Sequence, residues 1–336
     1  MRYGIAGGGV LGLTAALRLA QAGHEVTVYE RDRTLGGLAG SFEIADGLWL
    51  EKFYHHLFRS DRHAIRLIDE LGLGPALRWH RPLTAVLRDG VIHQLDSPGS
   101  VLAFRPLSVP SRLRLAAGLA ALRVMPAPRI LEGHTAGTWM RRVMGRPAFE
   151  VVWEPLLRGK FGDAADQVAM PWLWARIHDR TPELGYLEGG FHRLYQALAD
   201  RVCRLGGELI AGARVTGIHR RGDRTLQIEL EDGSSDRFDR VVSAMPTAVT
   251  AAVVRDLPRS WLERHPLPRA LAAHCLVLSL DRPLTPTYWI GINDPGVPFL
   301  AVVEHTNMVA PEAYGQRHLV YFGNYRPHDD PLFAMS

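Results

Sequence analysis

The sequence predicts an α/β fold in which a domain built on a parallel sheet is interrupted by a second domain of α+β character. Three observations carry this reading. The first thirty residues read strand, helix, strand; glycines recur at fixed spacing where that strand meets that helix; and alternating αβ sequence returns after a helical, proline-punctuated middle.

In order along the chain, "YGIAG" places Tyr3 and Ile5 on an alternating apolar run, and "VLGLTAALRLAQAG" repeats apolar residues at helical spacing. Gly23 stands where a helix C-cap glycine belongs. "HEVTVYE" returns to alternation at Val26 and Val28. So short a crossover predicts two parallel strands of a covered sheet.

The spacing Gly7-x-Gly9-x-x-Gly12 falls at the first strand–helix junction. Gly7 would permit the tight turn, Gly9 would let backbone approach a pyrophosphate, and Gly12 would let helix pack on strand. The phosphates would rest on the free N–H groups of the helix that starts near Val10. Glu30 closes the second strand, where a carboxylate can accept hydrogen bonds from both hydroxyls of an adenosine ribose and repel a 2′-phosphate. These residues predict a Rossmann-like dinucleotide site. Gly36 and Gly37 form a second glycine-rich loop just beyond it. On the residues alone, that loop is compatible both with a longer, flavin-bearing cofactor and with a plain turn.

"SDRHAIRLIDELGLG" predicts a helix capped by Ser60 or Asp61 and stopped at Gly72 or Gly74. Just before it, "EKFYHHLF" sets His55 and His56 in an aromatic frame. Neighbours on an extended chain point to opposite faces, so the pair cannot easily share a metal, and no metal site is expected. From about Arg81 to Gly185 the pattern changes: "AVLRDGVIHQL" predicts a hairpin turning at Asp89-Gly90, followed by helical sequence. Trp153, Lys160, Trp172, Trp174 and Arg176 there combine aromatic faces with cations, a mix suited to a planar or anionic substrate and equally to a core with a structural ion pair. The stretch after Gly189 reads helix, strand, hairpin, strand, with Val241 and Val242 on the last strand.

Composition narrows the classes. The 336 residues are 47% hydrophobic and 22% charged, the balance of an ordinary globular protein. The formal charge of +4 comes from arginine almost alone, since Lys52 and Lys160 are the only lysines; without basic clusters interleaved with aromatics, no nucleic-acid partner is expected. Cys203 and Cys275 lie far apart and predict two ordinary buried thiols in a reducing compartment. Folded-domain sequence starting at once leaves no room for a signal peptide, and no apolar run is long enough to span a bilayer, so a cytoplasmic location is expected. Residues 112–125 form a short basic helix, read as a surface or lid helix in preference to a membrane-surface contact.

"GIAGGGVLGLTAALRLAQAGHEVTVYERDRTLGGLAGSF" resembles the N-terminal signature of the flavin-containing amine oxidase superfamily. "EKFYHHLFRSD", "EPLLRGKFGDAADQVAMPWLWAR", "GYLEGGFHRL" and "VEHTN" are similar to its protoporphyrinogen-oxidase-like bacterial NAD(P)/FAD-dependent oxidoreductases. The resemblance implies a GR2-type FAD-binding domain in pieces, residues 1–80 and 186–256. An inserted substrate domain would be formed by residues 81–185 and 257–336. It implies Gly7, Gly9, Val10, Leu11 and Gly12 at the pyrophosphate, Glu30 with Arg31 at the adenosine end, and Gly36, Gly37 and Leu38 beside the ribityl chain and flavin. Val215 would meet the adenine, and Ala244 would lie on the strand returning under the cofactor.

The implied activity is FAD-dependent removal of a hydride from a small organic substrate by flavin N5, with His56 at the flavin and Lys160 and Arg176 as catalytic cations. Two alternatives stay open: a non-redox mutase acting on a nucleotide sugar, like UDP-galactopyranose mutase, and an inactive FAD-binding fragment. The sequence departs from the family where it ends, at "YRPHDDPLFAMS", without the usual C-terminal FAD-binding segment. That departure predicts a truncated chain or an incomplete flavin site.

Overall fold

Parallel pairing organises the N-terminal part of the computed structural model, which describes residues 1–222 and 224–335. Strand β1 (Arg2–Ala6) leads through helix α1 (Val10–Gln21) to strand β2 (Glu25–Glu30), which lies parallel to β1 with Ile5 opposite Val28. The strand Glu208–Ala211 adds on the outer side of β2 and the strand Arg240–Ser243 on the far side of β1, both parallel. β2 is buried from Val26 onward, as a strand covered on both faces must be.

Helix α1 buries Gly12, Leu13, Ala16, Leu17 and Ala20, one face at helical spacing. Leu13 and Leu17 are wholly buried, each worth about 1.5–3 kcal/mol against leaving it in water. Helix α1 ends at Gly23, whose φ of +80° suits a glycine past a helix C-terminus. The helix His192–Arg204 packs on α1 and buries Leu194, Tyr195, Leu198 and Val202. A second sheet, Val215–Arg220 with Leu226–Leu230 and Ser235–Phe238, is antiparallel and closes a core around Tyr29, Ile228 and Phe238.

The chain divides into two units, the first comprising residues 1–55, 63–77 and 187–270, the second residues 56–62, 78–186 and 271–336. The sheet of the second unit runs in the order Ala272–Leu280, His318–Arg326, Ala301–Glu304, Trp289–Ile292, Thr84–Arg88, Val91–Gln94. Its pairs are antiparallel except Trp289–Ile292 with Thr84–Arg88. The predicted hairpin turns at Asp89 and Gly90, with φ of +53° and +71°, and the Asp294 carboxylate accepts both of their N–H groups. Helices between residues 98 and 178 bury Leu115, Leu122, Met140, Phe149, Leu157 and Leu173 in one cluster.

The basic helix spans Val109–Val124, and its arginines serve the fold. Arg112 donates to the carbonyls of Leu107 and Leu102, Arg114 to those of Val143 and Arg142. Arg123 donates to the carbonyls of Ile177, His178 and Arg180, at the end of the helix Met170–His178, where the last carbonyls need donors. One sequence expectation is corrected: Cys203 is exposed, because the helix His192–Arg204 turns it away from its buried face, while Cys275 is partly buried. Among the described residues no helix is long and apolar enough to cross a membrane.

Candidate cofactor and substrate sites

The glycine turn of the first unit separates into residues the fold requires and one it does not. Gly7 has φ +111°, a conformation side chains disfavour, and its N–H donates to the Tyr29 carbonyl at 2.8 Å. A Cβ on Gly12 would stand 1.9 Å from the Gly7 carbonyl oxygen. Gly9 differs: its φ of −74° and ψ of 176° suit any residue, and a Cβ there would meet Gly37 Cα at an ordinary 3.7 Å. Packing within the protein does not ask for glycine at position 9, whereas a ligand approaching the backbone does. Helix α1 begins directly after it with no side-chain cap and no acidic residue in its first turn. Its N-terminal N–H groups and dipole therefore suit a pyrophosphate.

Glu30 ends β2 almost fully buried. Its Oε2 accepts the Gly8 N–H at 2.7 Å and its Oε1 the Asp32 N–H at 2.9 Å, which fixes the carboxylate beside the turn. Gly8 lies outside the predicted glycine spacing, yet a Cβ there would come within 2.8 Å of Glu30 Cβ. The signal was the middle glycine of "GGG", one more than the motif needs. Ala213 N–H donates to the Glu30 carbonyl at 2.8 Å, bringing the following strand, with buried Val215 at its start, to the same end of β2. Arg31 lies exposed beside Asp32, at 3.6 Å.

The second glycine loop is tied to the first. Gly36 N–H donates to the Gly8 carbonyl at 3.0 Å, and Gly9 and Gly36 form an isolated parallel bridge. Gly36 and Gly37 both have positive φ, and a Cβ on Gly36 would strike the Tyr195 ring at 2.7 Å. Tyr195 Oη donates to the Ala39 carbonyl at 2.9 Å, and burial, then the Glu51 carboxylate, pushes its pKa up. Around these paired loops Leu38 is 91% exposed and Leu11 66%, apolar surface of the kind a ring system covers. Ala244 donates its N–H to Ala6 and walls the turn opposite Gly7 and Gly12. These residues of the first unit fit a dinucleotide with a further apolar moiety.

Glu51 is a second residue that the sequence motifs leave out. It is wholly buried and accepts the Phe191 N–H at 2.8 Å, at the start of the helix that carries Tyr195. An acid opening the aromatic-rich "EKFYHHLF" was the available signal.

The three proposed catalytic residues lie in the second unit, which begins at His56. His56 Nδ1 is 3.2 Å from the hydroxyl of buried Tyr288, with its ring edge-to-face with Phe58. His55, in the first unit, turns instead to the Phe53 carbonyl at 2.5 Å. Lys160 lies on the helix Glu154–Phe161, behind a π-helical turn at Phe149–Trp153 whose Val151 and Val152 carbonyls accept from Asn293 Nδ2. Lys160 Nζ donates to Tyr325 Oη at 3.3 Å and lies 4.4 Å from that ring's centre. Burial, and then Arg176, lowers its pKa to about 8. The Arg176 guanidinium stands 5.1 Å from the centre of the Trp172 ring. Arg176 thus acts on Lys160 through its charge, while His56 has its own contacts. Trp153, Trp172 and Trp174 all pack against the helical core, and Trp174 Nε1 donates to the Met125 carbonyl. Among the described residues no three His, Cys, Asp or Glu side chains gather as metal ligands.

The family model for flavin-containing amine oxidoreductases matches residues 12–284. The chain belongs to this family. Among curated relatives of this amine oxidoreductase family member, the 15-cis-phytoene desaturase of Glycine max is 27% identical over 282 residues, covering 76% of this chain and 49% of the relative. The chain spans about half the length of the curated relatives it matches over most of its own length. A candidate protoporphyrinogen oxidase from Exiguobacterium sp. 255-15 superposes with a TM-score of 0.72 at 19% identity, over 100% of this chain and 79% of that one. Reduced UDP-galactopyranose mutase superposes at 0.74 with 15% identity, over 97% and 75%. At these identities the structures speak for the fold. It is the GR2-type, Rossmann-like FAD-binding α/β fold with an α+β substrate domain. The family is one of flavin-containing oxidoreductases.

Proposed function

We propose that this chain binds FAD through its first unit and oxidises a small organic substrate by hydride removal. The observation that supports it best is Gly9, a glycine with no steric need of its own, set between an uncapped helix N-terminus and a second glycine loop. FAD, when bound, supplies the hydride-accepting N5. Val10, Leu11 and Gly12 would offer N–H groups to the pyrophosphate, Glu30 would accept from the ribose hydroxyls, and Arg31 and Val215 would contact the adenosine. Gly36, Gly37 and Leu38 would hold the flavin-bearing part, and Ala244 would wall the turn.

The residues of the second unit orient the substrate. His56, whose Nδ1 contacts the Tyr288 hydroxyl, would act on the reacting group, and Lys160 and Arg176 would fix the substrate's position. Positioning of a donor in a dry pocket is the main demand such chemistry makes on a protein.

Reconstitution of the purified chain with FAD, followed by gel filtration and a visible spectrum, tests this reading. A bound flavin bleached by a substrate under anaerobic conditions is the expected result. A chain that retains no flavin absorbance overturns it. Turnover of a nucleotide sugar only under reducing conditions would replace oxidation with the mutase reaction.

A further inference from the structure

We propose that Lys160 and Arg176 form a subsite for an oxyanion, a carboxylate or a phosphate, carried by the organic substrate. Any reaction of that substrate rests on the proposed flavin chemistry, whereas the subsite itself stands on residues of the second unit alone. Lys160 has three N–H donors, and the described structure gives it one partner, the Tyr325 hydroxyl. That phenol carries no charge to offset the ammonium: burial raises its pKa, so it is neutral at neutral pH.

Of the acids nearest in sequence, Asp163 is exposed, and Glu154 and Asp166 are engaged elsewhere. Glu154 pairs with Arg158 at 3.1 Å, and Asp166 with Arg141 at 3.7 Å and Arg158 at 3.9 Å. The thiol of Cys275, close enough to act on Tyr325, is raised to about 12 by burial and stays neutral. Arg176 adds a like charge to the group, and among the described residues no carboxylate acts on Lys160 to oppose it.

A partly buried ammonium that loses hydration and feels a like charge is unfavourable with only a neutral phenol as partner. An oxyanion at Lys160 opposes both effects at the ammonium, because it accepts the remaining N–H donors and supplies the opposite charge. The aromatic supports fit this role. The Tyr325 ring lies under Lys160 and the Trp172 ring under Arg176, so each cation is seated on a π face, an attraction that leaves its charge intact. With its pKa near 8, Lys160 remains mostly protonated at neutral pH and able to hold an anion.

Calorimetric titration of the full chain with benzoate, phenyl phosphate and the neutral benzamide tests this. At pH 7 one or both anions should bind at least tenfold tighter than benzamide, and the tighter of the two names the oxyanion. Lys160→Met should abolish that preference and Lys160→Arg should keep it. Raising the pH from 7 to 9.5 should weaken anion binding several-fold in the wild-type chain and leave it unchanged in Lys160→Arg, whose charge does not titrate. Equal binding of benzamide and both anions overturns the proposal. So does an unchanged preference in a Lys160→Met chain shown by circular dichroism to be folded. If that variant does not fold, the pH comparison with Lys160→Arg decides alone. Calorimetry needs no flavin reduction, so a chain that prefers anions yet holds no FAD keeps the subsite and loses the oxidase reading. A yellow chain indifferent to anions does the reverse.

Discussion

Gly12 and Gly7 meet backbone to side-chain position: a Cβ on Gly12 would lie 1.9 Å from the Gly7 carbonyl oxygen, where no rotamer change can relieve it. Gly9, two residues along the same turn, has room for a Cβ. The two positions should therefore respond in opposite ways. Gly12→Ala forces β1 and α1 apart and should lose about 1–3 kcal/mol or more of stability. Gly9→Ala should melt within a few degrees of the wild type but bind FAD at least tenfold more weakly, because the methyl occupies the cofactor's approach. Thermal melts with FAD titrations separate the two. A Gly9→Ala chain with unchanged FAD affinity would remove the pyrophosphate from this turn.

Glu30 holds two backbone N–H groups, one on each carboxylate oxygen, at 2.7 and 2.9 Å. A Gln side chain has one acceptor oxygen and would turn its NH2 toward the other donor. Glu30→Gln should therefore cost about 1–3 kcal/mol in urea denaturation, the penalty for a buried donor left unpaired. FAD affinity should fall as well, since ribose and backbone then compete for one oxygen. A variant as stable as the wild type would show that the two contacts contribute little.

The α/β order and the first strand–helix–strand unit were legible because local pattern decides them: periodicity sets β1, α1 and β2, and the glycine spacing marks their junction. Residues whose roles depend on partners distant in sequence were not. Gly8 matters because Glu30 comes back against it, and Glu51 because Phe191, 140 residues later, donates to it. Arg112, Arg114 and Arg123 read as a basic helix face, but their targets are carbonyls of other segments, which sequence spacing cannot show. Cys203 was misplaced for a related reason: a thiol's burial depends on which face of an amphipathic helix it occupies, and its own residue type says little.

The adjacent histidines separate by contact as well as by unit. His55 closes a local loop on Phe53, and His56 reaches Tyr288, 232 residues on. If His56 serves the flavin, His56→Ala should move the bound flavin's visible spectrum or midpoint potential more than His55→Ala does. Tyr288→Phe, which removes the hydroxyl that orients the ring, should give a smaller shift in the same direction. Equal and negligible effects of both alanine variants would withdraw His56 from the site.

Lys160 gives a stability signature with a definite sign. Its pKa falls from an ordinary 10.5 to about 8 in the folded chain. Between those values the unfolded chain holds more protons than the folded one, so stability attributable to this group rises with pH across the window, and its penalty is fully present below about pH 8. Each pKa unit corresponds to about 1.4 kcal/mol, and partial exposure reduces the total to on the order of 2 kcal/mol. Lys160→Met, similar in length and uncharged, should therefore be more stable than the wild type at pH 7, with the gap closing toward pH 10.5. Urea denaturation of both chains at pH 7 and pH 10 measures it, the other titrating groups cancelling in the comparison. A variant less stable at pH 7, or a gap that does not narrow, would mean that Lys160 is a structural anchor for Tyr325. The expected result would mark Lys160 as a charge the fold keeps at a cost to its own stability, which is the physical signature of a group retained for a ligand.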